Sequence, residues 1–310
     1  MESTKSIIPE DYTDFLYWVK EQTEAYWSKN PETCNDYFVC EKWAYGARWM
    51  GLSDSEIDSI ERKYEIKFSY EHRLFLKVLH AVDKQRVIEY TETFDEDEEV
   101  KYDHQPFFYN WQSDEAAIKE YLDWPYRTML QDVLGANKVW LKSWGKKRPQ
   151  SNEEKESIFS EWFKQVPRLL PLTGHQFVVS HPTKNESPVL SMWGTDILVY
   201  GWNMKYYILN QLGHALGLYK LVYDQEDLEW YAEPGKELQE LQDLERKHAK
   251  ENTIPVLEEM ILYWSSGWWS YGKEYPYPDD STVQPIVKTY VPEDESEEPN
   301  QKSFNQYRDI

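Results

Sequence analysis

Apolar residues near the start of the chain recur at the spacing of an amphipathic helix. Within residues 10–30, four of them fall near a period of 3.6 residues: Phe15, Leu16, Val19 and Tyr26. This spacing predicts a first helix. We expect residues 1–50 to form a helical segment that packs on the rest of the protein.

Two further helices are predicted between residues 53 and 82. Ser53 and Glu56 have the spacing of a capping box, in which each side chain pairs with the backbone N–H of the other residue. The helices carry apolar stripes, formed by Ile57, Ile60 and Tyr64 and, after a start near Tyr70, by Leu74, Phe75, Val78, Leu79 and Val82. The stripes predict that the two helices pack together as a hairpin.

The middle of the chain mixes helical and β-prone patterns. Helices are predicted over residues 114–121, 151–166 and 204–212, and strands over residues 138–141, 176–180, 188–193 and 196–200. We expect Trp124-Pro125 to close the first of these helices, because proline lacks a backbone N–H. The order of elements predicts the α+β class, with a central antiparallel-rich sheet flanked by helices in a core domain of residues 51–223.

Beyond Tyr223 the pattern becomes more polar. It predicts a helix over residues 236–250 and another that Thr253 caps. We expect residues 224–290 to form an acidic helical extension and residues 291–310 a mobile acidic tail.

The net charge of the chain argues against two classes of partner, nucleic acids and anionic membranes. The 310 residues contain 56 Asp and Glu against 34 Lys and Arg, a net charge of −22. Nucleic-acid binding requires clustered basic residues, and anionic membranes repel an acidic surface, so neither partner is expected. Aromatic residues make up 16% of the chain, which argues against a wholly disordered protein.

Acidic residues are concentrated late in the chain and in two runs. Residues 224–310 carry 21 acidic and 8 basic residues, a balance of −13. One run consists of Asp95, Glu96, Asp97, Glu98 and Glu99, and the other covers residues 293–298. The runs fit a solvated loop and a frayed tail, a docking face for a basic protein, or a mimic of an anionic substrate.

Cysteine usage and hydropathy favour a cytoplasmic protein. Cys34 and Cys40 make no disulfide framework, and the N-terminal sequence lacks a basic start followed by an apolar stretch. No apolar run is long enough to cross a membrane. We therefore expect a soluble protein without a signal peptide.

Catalytic and metal-binding motifs are not evident. His175 and His181 flank a predicted strand, but no third ligand has suitable spacing, so we expect no metal. The sequence contains no G-x-S-x-G, no phosphate-binding glycine loop and no dinucleotide fingerprint. We therefore expect neither a cofactor nor enzymatic activity.

The 15 tryptophans allow three roles. Trp268 and Trp269, with Tyr271, have the spacing of a sugar-stacking platform. The alternatives are that the large rings fill the core or that they anchor a protein interface.

Five motifs follow one another along the chain: Gly51-Leu52-Ser53-x-x-Glu56-Ile57, Trp140-x-x-x-Trp144-Gly145-x-x-Arg148-Pro149, Pro167-x-Leu169-Leu170-Pro171-Leu172-Thr173-Gly174-His175, Pro188-Val189-Leu190-Ser191 and Thr195-Asp196-Ile197-Leu198-Val199-Tyr200-Gly201. In this order they resemble the SUKH superfamily, which includes Smi/Knr-type cell-wall-assembly regulators and bacterial toxin-immunity proteins, and the resemblance covers roughly residues 10–215. Gln176 stands where the bacterial branch usually has arginine, and Gln131 precedes Asp132 where it usually has phenylalanine.

Structural roles explain most of the motif positions. We expect this of Gly51, Trp140, Trp144, Gly145, Pro149, Pro171, Gly174, His175, Pro188, Ser191, Asp196, Tyr200 and Gly201. The glycines are expected at turns and close backbone approaches. Asp196 is expected to hold backbone N–H groups in the turn that Gly194 and Thr195 form.

The resemblance implies a SUKH-like fold and a protein-binding function without catalysis. The protein would be an immunity protein that neutralises a cognate bacterial toxin, and its acidity fits a basic, nuclease-like partner. The alternative is a regulator or scaffold of cell-wall or glucan assembly. The residues expected to contact the partner are Asp95, Glu96, Asp97, Glu98, Glu99, Trp193 and Trp202, and the sequence does not indicate an oligomeric state.

Overall fold

Helices and short antiparallel strands alternate along the chain, which confirms the predicted α+β class. The computed structural model describes residues 7–34, 36–94, 97–180 and 186–274, and only the backbone of residues 92–94 and 97–99. The acidic run at 293–298 and the predicted tail lie outside the described residues.

The helices cover most of the predicted positions. They are α1 (Tyr12–Trp27), α2 (Asp54–Tyr64), α3 (Tyr70–Leu79), α4 (Glu115–Leu134), α5 (Asn152–Phe163), α6 (Met204–Leu212), α7 (Lys236–Glu251), α8 (Glu258–Ile261) and α9 (Ser265–Ser270). The capping box of α2 is confirmed, since the Ser53 N–H donates to Oε2 of Glu56 at 2.7 Å and the Glu56 N–H donates to Oγ of Ser53 at 3.4 Å.

The strands form small sheets. They are β1 (Trp49–Met50), β2 (Ala81–Val82), β3 (Gln85–Phe94), β4 (Asp97–Pro106), β5 (Arg168–Thr173), β6 (Gln176–Ser180), β7 (Val189–Trp193), β8 (Asp196–Gly201), β9 (Tyr219–Asp224) and β10 (Glu229–Pro234). Within the described residues they form three antiparallel pairs, β1–β2, β3–β4 and β9–β10, and one four-stranded sheet of order β5-β6-β7-β8. The strands predicted over 176–180, 188–193 and 196–200 are confirmed.

Several elements differ from the sequence predictions. The helix expected to be capped by Thr253 begins only at Glu258, with Leu257 as its N-cap. α4 continues through Pro125 to Leu134, because buried Trp124, Met129 and Val133 keep the apolar stripe going and their packing offsets one missing hydrogen bond. Residues 138–141 form no strand but lead into a short 3-10 helix, Lys142–Trp144. Val82, expected at the end of α3, lies in β2.

The chain divides into two compact units made of alternating segments. Unit 1 comprises Met1–Glu120, Arg168–Leu190 and Tyr200–His248, and unit 2 comprises Tyr121–Pro167, Ser191–Val199 and Ala249–Ile310. The expected boundary between residues 223 and 224 falls inside β9.

Aromatic rings fill the interior of each unit. In unit 1, the ring of Trp49 lies 5.3 Å from that of Trp27 and 5.8 Å from that of Phe108. In unit 2, the ring of Trp144 lies 5.3 Å from that of Trp140 and 5.4 Å from that of Trp162. Core filling therefore accounts for many of the tryptophans.

Candidate protein-interaction surface

The β9–β10 hairpin of unit 1 concentrates exposed aromatic and acidic side chains. Its strands pair from Tyr219 opposite Pro234 to Asp224 opposite Glu229. The turn at residues 225–228 is held by Asp224, whose Oδ1 accepts hydrogen bonds from the backbone N–H groups of Glu226 and Asp227 at 2.7 and 3.3 Å. We call this element the acidic hairpin.

One face of the acidic hairpin carries a pair of exposed aromatic residues. Tyr223 and Trp230 lie directly opposite each other in the register, with ring centroids 5.3 Å apart. They are 42% and 56% exposed, and Leu228 beside them in the turn is 73% exposed. Large exposed aromatics are the side chains that most often anchor protein interfaces.

The other face carries carboxylates that repel each other. Asp224 and Glu229 lie directly opposite, and like charges in that position destabilise a strand pair. Lys220 is the single basic residue within residues 219–234, and its Nζ lies 3.6 Å from Oε2 of Glu233. Neither Asp224 nor Glu229 forms an ion pair with another described residue, so the surplus negative charge remains at the turn.

Aromatic stacking anchors the base of the acidic hairpin. The ring of Tyr219 stacks on the imidazole of His214, with centroids 4.1 Å apart and planes within 13°. The ring of Phe38 lies 5.3 Å from the same imidazole, with its plane tilted by 41°. The Tyr37 hydroxyl donates to the backbone carbonyl of Trp230 at 3.4 Å, which ties the segment after α1 to β10.

A groove of about 430 Å³ opens beside the acidic hairpin. Its lining residues include Tyr26, Phe38, Leu221 and the ion pair of Lys29 with Asp36, whose Nζ and Oδ2 lie 3.0 Å apart. The hydrogen bond from Lys29 lowers the pKa of the Asp36 carboxyl. Since its charges are already paired, the groove adds contact area rather than net charge.

The residues predicted to contact a partner are scattered rather than gathered. Asp95 and Glu96 lie outside the described residues, whereas Asp97, Glu98 and Glu99 begin β4, with Glu99 opposite Glu92. Trp193 in unit 2 is 44% exposed, and its ring lies 6.1 Å from that of Trp124.

Trp202 is buried, at 3% exposure. Its backbone N–H donates to Oε1 of Glu245 at 3.0 Å, and its ring lies 6.1 Å from the imidazole of His248. The side chain is therefore part of the unit 1 interior and not of an accessible surface.

Two motif glycines occupy close backbone approaches. A Cβ atom on Gly51 would lie 2.1 Å from the carbonyl oxygen of Lys77, and one on Gly201 would lie 2.7 Å from the backbone nitrogen of Tyr207. Gly145 and Gly174 instead have φ angles of 136° and 47°, which side chains rarely adopt.

Asp132, and not Asp196, holds the turn between β7 and β8. Oδ2 of Asp132 accepts hydrogen bonds from the backbone N–H and the hydroxyl of Thr195 at 2.7 and 2.8 Å. The carboxylate of Asp196 accepts from the hydroxyl of Ser266. The expected role of Asp196 is therefore performed by a residue 64 positions earlier, which sequence spacing could not reveal.

The remaining motif residues sit in or next to secondary structure. His175 lies in the β5–β6 turn, where burial lowers its pKa. Next to it, Gln176 accepts a hydrogen bond from the hydroxyl of Tyr207 at 2.6 Å. Nε1 of Trp140 donates a hydrogen bond to the carbonyl of Gly145, and the carbonyl of Pro188 accepts one from the backbone N–H of Val179. The other motif positions are Pro149, Pro171 in β5, buried Ser191 in β7 and Tyr200 in β8.

The sugar-stacking platform, one of the three roles that the sequence allows for the tryptophans, does not form a continuous exposed surface. Trp269 is 79% exposed, but Trp268 and Tyr271 are buried. His181 lies outside the described residues, and among the residues that are described no three His, Cys, Asp or Glu side chains are grouped to hold a metal ion. The described helices also include none with the length and hydropathy of a membrane span.

The acidic hairpin was not predicted, although its sequence carries a signal. Residues 219–224 and 229–234 are rich in tyrosine, valine and tryptophan, and they flank an acidic turn. The charge of this region instead suggested a helical extension.

Comparisons of the chain with protein-family models, with curated proteins and with solved structures return no match.

Proposed function

We propose that the protein is a non-catalytic binding module that captures a basic protein partner on the acidic hairpin. The observation that carries this proposal is the pair of Asp224 and Glu229, which have no ion-pair partner among the described residues and lie beside the exposed rings of Tyr223 and Trp230. A cationic partner would remove the repulsion between the carboxylates, and the rings would supply apolar contact area.

Charge at this position favours fast and selective association. Four of the six residues 224–229 are acidic and none is basic. Such a field steers oppositely charged proteins together and disfavours acidic ones. The surface therefore fits a basic protein better than a neutral ligand.

The specific role we propose is that of an immunity protein that occupies a toxin and blocks it without a reaction. This step is supported by the resemblance to the SUKH superfamily and by the net charge of −22. The alternative, a regulator of cell-wall assembly, is supported by the same resemblance and by no feature of the acidic hairpin.

Co-expression with the product of a neighbouring toxin-like gene tests the proposal. Wild-type protein should restore growth, and a variant with Asp224→Asn, Glu226→Gln, Asp227→Asn and Glu229→Gln should not. A matched control removes four exposed carboxylates elsewhere: Glu21→Gln, Glu154→Gln, Glu156→Gln and Glu251→Gln. Failure of the wild type to restore growth would exclude the immunity role, and equal rescue by both variants would exclude the acidic hairpin as the contact.

A further inference from the structure

Glu71 of α3 is a buried carboxylate that joins three separate segments of unit 1. Its Oε2 accepts a hydrogen bond from the backbone N–H of Ser187 at 2.9 Å and from that of Met204, the first residue of α6, at 3.3 Å. The residue is 7% exposed, while Ser187 and Met204 are fully buried. Ser187 also forms a second hydrogen bond, in which its hydroxyl donates to Oγ of Ser69 at 2.6 Å.

No cation faces this carboxylate among the described residues. Lys205 on α6 directs its Nζ to the carbonyl of Pro9 at 2.6 Å, and Tyr12 on α1 has a buried hydroxyl with no hydrogen-bond partner in the described part of the chain. Glu186, beside Ser187, adds a second negative charge and lies 3.5 Å from Nε2 of His248. On α3 itself, both ring nitrogens of His72 are buried and have no hydrogen-bond partner among the residues that the structure describes.

We propose that Glu71 is a proton-operated latch: its neutral form holds residues 186–188 and the start of α6 against α3, and its anionic form loosens them. A buried anion that meets no cation among the described residues is costly, because backbone N–H groups replace only part of its hydration. A neutral carboxyl avoids that cost and still offers its carbonyl oxygen to the same N–H groups.

The latch operates near neutral pH. Burial raises the pKa of Glu71 to about 7, with Glu186 adding to the rise and the backbone N–H groups of Ser187, Met204 and Lys205 opposing it. Because the pKa is raised in the folded state, the stabilisation is complete below the unfolded value of 4.5 and is lost as pH rises towards 7. α6 begins at Met204, where Glu71 binds, and ends at Leu212, two residues before His214, which stacks on Tyr219 at the base of the acidic hairpin, so α6 connects the latch to the proposed interaction surface.

Amide hydrogen exchange of the full chain at pH 6 and pH 8, corrected for intrinsic rates, tests the latch. In the wild type, the protection of residues 187 and 204–208 should fall at least fivefold at pH 8. In Glu71→Gln, which cannot ionise, protection should be the same at both values. An unchanged pH dependence in this variant would overturn the proposal and assign the effect to another group, such as Glu245.

A second variant keeps the test decisive if Glu71→Gln does not fold. Glu186→Gln, at an exposed position, removes a negative charge that raises the pKa of Glu71, so the midpoint of the exchange transition should move to lower pH. Glu251→Gln is the control and should keep the wild-type midpoint. A Glu186→Gln midpoint identical to that of the wild type would contradict the latch. The readout requires no partner, so its failure would leave the proposed binding function unaffected.

Discussion

The backbone N–H of Trp111 donates a hydrogen bond to Nε2 of His80 at 2.9 Å. Both groups are buried, and the acceptor role of Nε2 requires a neutral imidazole that carries its proton on Nδ1. Protonation would place two donors against each other. The stability of unit 1 therefore depends on this imidazole remaining neutral, and acidic pH should lower it.

Acid should destabilise the protein through its buried histidines. Burial lowers the pKa of His80 to about 4 and that of His72 to about 3. The unfolded chain binds protons near pH 6.5, so the stabilisation is present above that value and is lost as pH falls towards 4. His80 should contribute a loss on the order of 3 kcal/mol to the free energy of unfolding between pH 7 and pH 4. Protonation of Glu71 acts in the opposite direction over this range, so urea unfolding of the wild type reports the sum of the two and a His80 variant is needed to separate them.

His80→Leu isolates this contribution. The substitution leaves the N–H of Trp111 unpaired, which should cost about 1–3 kcal/mol at pH 7. The variant should also lose less stability than the wild type on going to pH 4. An equal loss in both proteins would show that another group causes the acid sensitivity.

Gly51 and Gly174 should respond differently to alanine. In Gly51→Ala the new methyl group would meet the backbone carbonyl of Lys77, which cannot move aside like a side chain, so we expect a loss of about 3 kcal/mol. Gly174→Ala meets no atom but must adopt a φ of 47°, at a cost of about 1–2 kcal/mol. Urea midpoints of the two variants compare them, and a smaller effect at Gly51 would contradict the close approach.

Asp132 should matter more to unit 2 than Asp196. Asp132→Ala removes the acceptor for the N–H and hydroxyl of Thr195 and for the side-chain amide of Asn137, so we expect a loss of about 3 kcal/mol. Asp196→Ala removes an exposed hydrogen bond to Ser266 and should cost below about 1 kcal/mol. Thermal unfolding of both variants measures the difference, and equal losses would refute the assignment.

Charge reversal at Glu229 should stabilise the protein while weakening partner binding. Glu229→Lys turns the repulsive pair with Asp224 into an attractive one and should add about 0.2–1 kcal/mol to the free energy of unfolding. Glu226→Lys makes the same change of charge in the turn, without a residue directly opposite, and serves as the control. If the free energy of unfolding rises equally in both variants, the change in net charge explains the effect and the cross-strand pair does not.

The local pattern of apolar and polar residues was sufficient to predict most of the helices and three of the strands. Residues within a few positions of each other form α1, α6 and the capping box of α2. Because these hydrogen bonds join near neighbours in the chain, the local sequence is enough to predict them. The same holds for the strands between Gln176 and Gly201, which proline and glycine separate.

Tertiary structure decided the features that depend on distant residues. The continuation of α4 through Pro125 is set by buried packing, and the like-charge pair of the acidic hairpin depends on a register that the turn fixes. Asp132 replaces Asp196 as the acceptor in the β7–β8 turn, and Glu71 meets Ser187 from 116 residues away. The sequence by itself determined the α+β class, the acidity and most of the helices; which carboxylates are paired, buried or left facing each other depends on contacts between segments, and these form only when the chain folds.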